Sequence, residues 1–126
     1  MKPRLVRLVF AFALITGTLA THFSFAANRF SIIAYQSRYT PGDNRGPLHV
    51  SVTAGSDLSL TNLDIGAGHS VTSDDFLGST MTRLFGSDNI SFNKTADVVG
   101  VSSLPKGSYL FHCNIHDEMH GTLDVI

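Results

Sequence analysis

Only one cysteine, Cys113, occurs in the 126 residues of this chain, and that scarcity narrows its chemistry at once. A single cysteine cannot close an internal disulfide, so the thiol is either free or held by a metal. Long apolar runs are also missing. The run from Leu8 to Ala20 has 13 residues, short of the roughly 18–20 that a membrane-spanning helix needs. No stretch of helix length carries a 3.6-residue apolar period, and there is no internal repeat, low-complexity tract or interdomain linker. Basic residues are few, with 9 Lys and Arg against 10 Asp and Glu.

Three of those nine lie at the N-terminus. Lys2, Arg4 and Arg7 precede the Leu8–Ala20 run, and Ser24-Phe25-Ala26 follows with small residues at the −3 and −1 positions of a cleavage site. Residues 1–26 therefore read as a signal peptide and 27–126 as one small domain, exported to the periplasm or beyond. Cleavage after Ala20 would leave Phe23 and Phe25 on the mature end, and an uncleaved anchor would need a longer run. No cysteine stands after the run to carry a lipid, and no stable membrane insertion is expected once the leader is removed. The remaining chain keeps 6 basic against 10 acidic residues, net −4, which argues against binding a phosphate backbone, so no nucleic-acid partner is expected. In an oxidising compartment an exposed free thiol is a liability, whereas a metal-bound thiolate is a reason to keep it.

The mature sequence reads as short strands between turns. Phe30 to Tyr35 is a first apolar strand, and Tyr39 to Pro47 is turn chemistry throughout. Leu48, Val50 and Val52 alternate with His49, Ser51 and Thr53, and after a turn at 54–57, Leu58 and Leu60 alternate with Ser59 and Thr61. Tyr109, Phe111 and Cys113 share one face of a later strand, with Ser108, Leu110 and His112 on the other. Leu123 and Val125 mark a last strand. Residues 73–97, rich in Ser, Thr, Gly and Asp, suggest a surface loop with one or two edge strands. The pattern predicts an all-β fold, a β-sandwich with Greek-key connections.

Strand alternation aims Cys113 inward, and the chain must then turn to bring His116 and Met119 round the same point. The spacing Cys-x-x-His-x-x-Met lets one short loop offer three donors. A fourth must come from elsewhere, and His69, flanked by Gly66, Gly68 and Ser70, is the natural candidate. One thiolate, two imidazoles and a weak axial thioether form the set that suits a mononuclear copper ion in electron transfer. Singly, a buried cysteine is usually a small hydrophobe and a methionine usually core filler. Three ligand types within seven residues, joined to an export signal and an all-β pattern, favour the metal.

The sequence resembles the cupredoxins, the small blue-copper proteins of the plastocyanin and azurin type. The likeness runs through Leu60-Thr61-Asn62-Leu63-Asp64 and Gly68-His69-Ser70-Val71, Leu104 to Cys113, and Met119-His120-Gly121. The short metal loop is similar to that of amicyanin. The resemblance implies a Greek-key β-sandwich, one copper cycling between Cu(I) and Cu(II), and electron shuttling between larger redox partners, by a monomer that is not an enzyme. Departures are Asp117, where many relatives carry proline, and Ser70, where an asparagine often bridges the two ligand loops. Asp117, Glu118 and His120 add solvated charge beside the loop.

Two other functions are compatible with the same ligands: copper storage or delivery without redox cycling, and an oligomeric copper oxidase or reductase. The latter would recruit His112 to a second copper. His112 is expected to be a surface residue instead, since only His49 and His120 remain in the mature chain to help it and no His-x-His pair is present.

Overall fold

A computed structural model describes residues 28–40 and 48–126. The expected signal peptide lies outside the described residues. The strands are β1 (Arg29–Tyr35), β2 (Arg38–Thr40), β3 (Leu48–Val52), β4 (Asp57–Asn62), β5 (Thr72–Ser73), β6 (Lys94–Asp97), β7 (Gly107–His112) and β8 (His120–Val125), with one 3₁₀ turn at Val101–Ser103. They form two four-stranded sheets, ordered β2-β1-β4-β6 and β3-β8-β7-β5. The pairs β1–β4 and β3–β8 are parallel, and the other neighbours are antiparallel. Because β3 lies in the second sheet while β1 and β4 adjoin in the first, the chain crosses between sheets as it runs. This is the expected all-β sandwich. No helix among the described residues is long and apolar enough to cross a membrane.

Period-two alternation builds the core. Ile32, Ala34, Leu58 and Leu60 from one sheet join Leu48, Val52, Phe111, Leu123 and Val125 from the other in one buried cluster. Full burial of a Leu, Ile, Val or Phe side chain is worth roughly 1.5–3 kcal/mol. Phe111 is the pivot nearest Cys113. Its ring meets Tyr39 at a centroid distance of 5.2 Å and Phe85 at 6.5 Å. It also lies across Gly121, its partner in the β7–β8 ladder, where an added Cβ would fall 2.2 Å from the ring. Glycine at 121 is what lets the aromatic ring occupy that space.

The structure corrects two expectations. Tyr39 and Thr40 belong to β2, not to a turn. The hairpin closes earlier, at Gln36 and Ser37, both left-handed with φ of 51° and 52°. Tyr39 is buried, and its hydroxyl donates to the Ser70 carbonyl at 2.5 Å. Burial of the aromatic ring overrides the turn-like composition around it. Residues 73–97 are also more than a surface loop. They supply one edge strand, β6, as expected, but Phe85 and Ile90 are buried in the core. Isolated bridges, Thr72 to Gly86 and Gly86 to Val99 among them, tie the segment down without any run of alternation to announce it.

Candidate metal centre

Two segments meet at one end of the sandwich. Cys113 directly follows β7, on the face of Phe111, and is 1 % exposed. The chain then doubles back: the Met119 N–H donates to the His116 carbonyl at 2.9 Å, and the Cys113 N–H donates to the Met119 carbonyl at 3.0 Å. This closure places His116 beside Cys113 and buries Met119. His69 arrives from the loop after β4. Its backbone is locked by reciprocal bonds with Ile90, at 3.1 and 2.9 Å, and its ring is fully buried.

The sulfur of Cys113 lies 4.0 Å from His69 Nδ1 and 3.6 Å from His116 Nδ1. The two imidazole centroids are 4.6 Å apart, and the three donor atoms all lie within 4.8 Å of one another. These distances suit a metal. Bonds of about 2.3 Å to sulfur and about 2.0 Å to nitrogen, opened to about 120°, span about 3.7 Å. The observed pair brackets that value. Among the described residues no other group of three His, Cys, Asp or Glu side chains has this proximity.

The surroundings favour a thiolate. Burial pushes the Cys113 thiol up, but the N–H groups of Ile115 and Ser70 and the imidazoles of His116 and His69 outweigh it, bringing the group down from 9.0 to about 6. The Ser70 N–H points at the sulfur from 3.5 Å, and the Ser70 hydroxyl accepts the Asn114 N–H at 3.0 Å. Serine thus does bridge the two ligand segments, with one hydroxyl and one amide. Tyr39 is raised well above the usual phenol range by burial and by the neighbouring Cys113. Its hydroxyl therefore stays protonated beside the thiolate.

All four expected ligand residues reach this end of the fold: His69, Cys113 and His116 by their donor atoms, Met119 by the loop closure that buries it. His116 is the least buried of the four. His112 lies on the opposite face of β7, where its Nδ1 bonds Asp74, and it stands across the ladder from exposed His120. His49 is exposed on β3, and Asp117 and Glu118 are exposed on the loop. None of these joins the cluster.

Two residues escaped the sequence reading. Tyr39 looked like part of a turn. Asp64 carried no motif of its own, yet its Oδ2 lies 3.0 Å from His69 Nε2. Ser37 N–H holds the Asp64 carboxyl below the usual range, burial opposes this, and His69 and His116 add to the lowering. The available signals are its place at the end of the Leu60–Asp64 stretch that carries the resemblance and its position five residues before a candidate histidine ligand.

No family model matches the chain, and no curated protein matches it by sequence. Solved structures do. A copper-containing nitrite reductase from Thermus scotoductus SA-01 is 15 % identical, with a TM-score of 0.60, over 79 % of this chain and 22 % of its own. The chain thus spans about a fifth of that reductase. A purple cupredoxin from Nitrosopumilus maritimus is 22 % identical, with a TM-score of 0.56, over 76 % of this chain and 98 % of its own. A proline-to-glycine mutant of amicyanin, in a reduced Cu(I) form at pH 4, is 16 % identical, with a TM-score of 0.60, over 82 % of this chain and 87 % of its own. The fold is the cupredoxin sandwich.

Proposed function

We propose that this chain is an exported one-electron carrier holding a single copper ion through His69, Cys113 and His116, with Met119 as a weak axial ligand. The observation that carries the reading is the cluster of the Cys113 sulfur with Nδ1 of His69 at 4.0 Å and of His116 at 3.6 Å, the three donors lying within 4.8 Å of one another. A soft thiolate with two imidazoles and a thioether selects copper over harder cations. The bound ion would supply the Cu(I)/Cu(II) couple. The chain's own contribution is preorganisation: the His69–Ile90 bridge, the Ser70–Asn114 bond and the Cys113–Met119 closure hold the donor-bearing segments in place. Burial of His69, Cys113 and Met119 keeps water away from these three donors. His116 lies nearest the surface, beside exposed Ile115, and is the natural point of electron exit to a redox protein partner.

The leader-like composition of residues 1–26 supports export to the periplasm or outside the cell. We read the protein as a monomer and as a carrier, not an enzyme, because a second copper at His112 would need further imidazoles, and beyond the proposed ligands only His49 and His120 are left in residues 27–126, with no His-x-His pair.

The experiment is titration of the purified mature protein with copper(II), followed by visible and electron spin resonance spectra. The expected result is one copper per chain, strong thiolate-to-copper charge transfer, and reversible reduction with the metal retained. Cys113→Ser abolishes the colour and leaves the sandwich folded. A Cys113→Ser protein that stays coloured refutes the assignment. Metal stripped by reduction or by a mild chelator refutes the carrier reading in favour of delivery, and two coppers per chain refutes it in favour of an enzyme.

A further inference from the structure

A fully buried imidazole must satisfy both ring nitrogens, and in His69 each has its own neighbour. Nδ1 faces the Cys113 sulfur at 4.0 Å, while Nε2 lies 3.0 Å from Asp64 Oδ2. An ionised carboxylate only accepts hydrogen bonds, so the ring proton belongs on Nε2 and the lone pair on Nδ1. We propose that Asp64 is a positioning residue of the metal centre: its carboxylate fixes His69 in the Nε2–H tautomer, aims Nδ1 at the ion, and biases the site toward Cu(II). The proposal rests on the copper reading above and adds to it the group that sets one ligand's orientation and donor strength.

Asp64 is itself fixed from several directions. The same Oδ2 accepts the N–H of Ser37, at the left-handed hairpin turn, at 2.7 Å. The Asp64 N–H donates to Asn62 Oδ1 at 2.7 Å. Asn62 is fully buried, and its Nδ2 donates to the carbonyls of Ala67 at 2.8 Å and Ile90 at 2.9 Å. Ile90 is the residue whose backbone locks His69. Asn62 and Ile90 thus tie carboxylate and ring into one network.

A neutral acceptor could orient the ring equally well, but the carboxylate brings a negative charge as well. Its side chain is only 17 % exposed, so water screens that charge incompletely. Cu(II) carries one more positive charge than Cu(I), so the anion favours the oxidised ion more. A carboxylate on the far nitrogen also makes imidazole a stronger donor, and loss of such a partner typically costs 10–100-fold in metal affinity.

The first test uses ¹⁵N-labelled metal-free wild-type protein and needs no variant. Ring nitrogen resonances should show His69 protonated on Nε2 with a slowly exchanging proton; a ring with its proton on Nδ1 and none on Nε2 overturns the proposal. The second compares copper-loaded wild type with Asp64→Asn and Asp64→Ala. Cu(II) affinity should fall about 10–100-fold while Cu(I) affinity changes little, raising the reduction potential by about 60–120 mV at 59 mV per tenfold. Asp64→Glu should restore part of the loss. A folded Asp64→Ala protein with unchanged potential and Cu(II) affinity overturns the proposal. Failure of the wild type to take up copper overturns the carrier reading instead, and it is distinguishable because the ring tautomer is measured without metal.

Discussion

Cys113 makes the stability of the metal-free protein depend on pH in a way that can be worked out in advance. The native group titrates at about 6 against an ordinary 9.0, so the folded state gives up this proton first. A lowered native value stabilises the fold fully above the unfolded value. The gain is lost as the pH falls through the native value. The whole effect is on the order of 4 kcal/mol, at about 1.4 kcal/mol per tenfold change. Between about pH 5 and about pH 7.5 it should grow from near zero to about 2 kcal/mol. The assay is urea unfolding of the metal-free protein under reductant, compared at each pH with Cys113→Ala. The smaller alanine side chain adds an offset, and the thiolate contribution appears as the slope of the difference. A difference that stays flat across this interval refutes the claim that the site holds a thiolate before metal binds. Ultraviolet absorbance of the thiolate provides a second reading and should titrate near pH 6.

Two other changes have definite outcomes. Met119→Gln should keep the copper and lower the reduction potential, because a weak axial ligand tunes the ion more than it holds it; complete loss of copper in metal analysis would assign Met119 a different role. Gly121→Ala places a Cβ 2.2 Å from the Phe111 ring and should cost roughly 1–3 kcal/mol in chemical unfolding, with the visible spectrum shifted as the strand beneath Cys113 adjusts; unchanged stability would mean that the ring moves aside freely.

The strands whose apolar residues alternate were legible without coordinates. Leu48 and Val52, and Phe111 with Cys113, point inward as the period of two requires. The donor set was legible because Cys113, His116 and Met119 crowd one loop and His69 sits among small residues. What escaped was decided by contacts distant in sequence. β2 is short, and its buried Tyr39 owes its place to Ser70, 31 residues away. Phe85 and Ile90 are buried through single bridges that leave no periodic trace. Asp64 looks like any loop carboxylate until the fold brings Ser37 to it from 27 residues upstream. Local pattern identifies strands and candidate ligands. The groups that hold those ligands in place are chosen by tertiary geometry.

The parallel pairing of β3 with β8, which sets Leu48 beside Gly121, also bears on the order of events as the chain folds. Contacts so far apart in sequence form late, because the entropy of closing the intervening loop must be met first. The donors divide along the same line. Cys113, His116 and Met119 lie within seven residues of one another, whereas His69 joins the sulfur from 44 residues away. An incompletely folded chain therefore offers a three-donor loop to any soft ion it meets, with no fourth ligand and no buried walls to select among metals. Once the sheets have closed, His116 is the one partly exposed member of the candidate donor set.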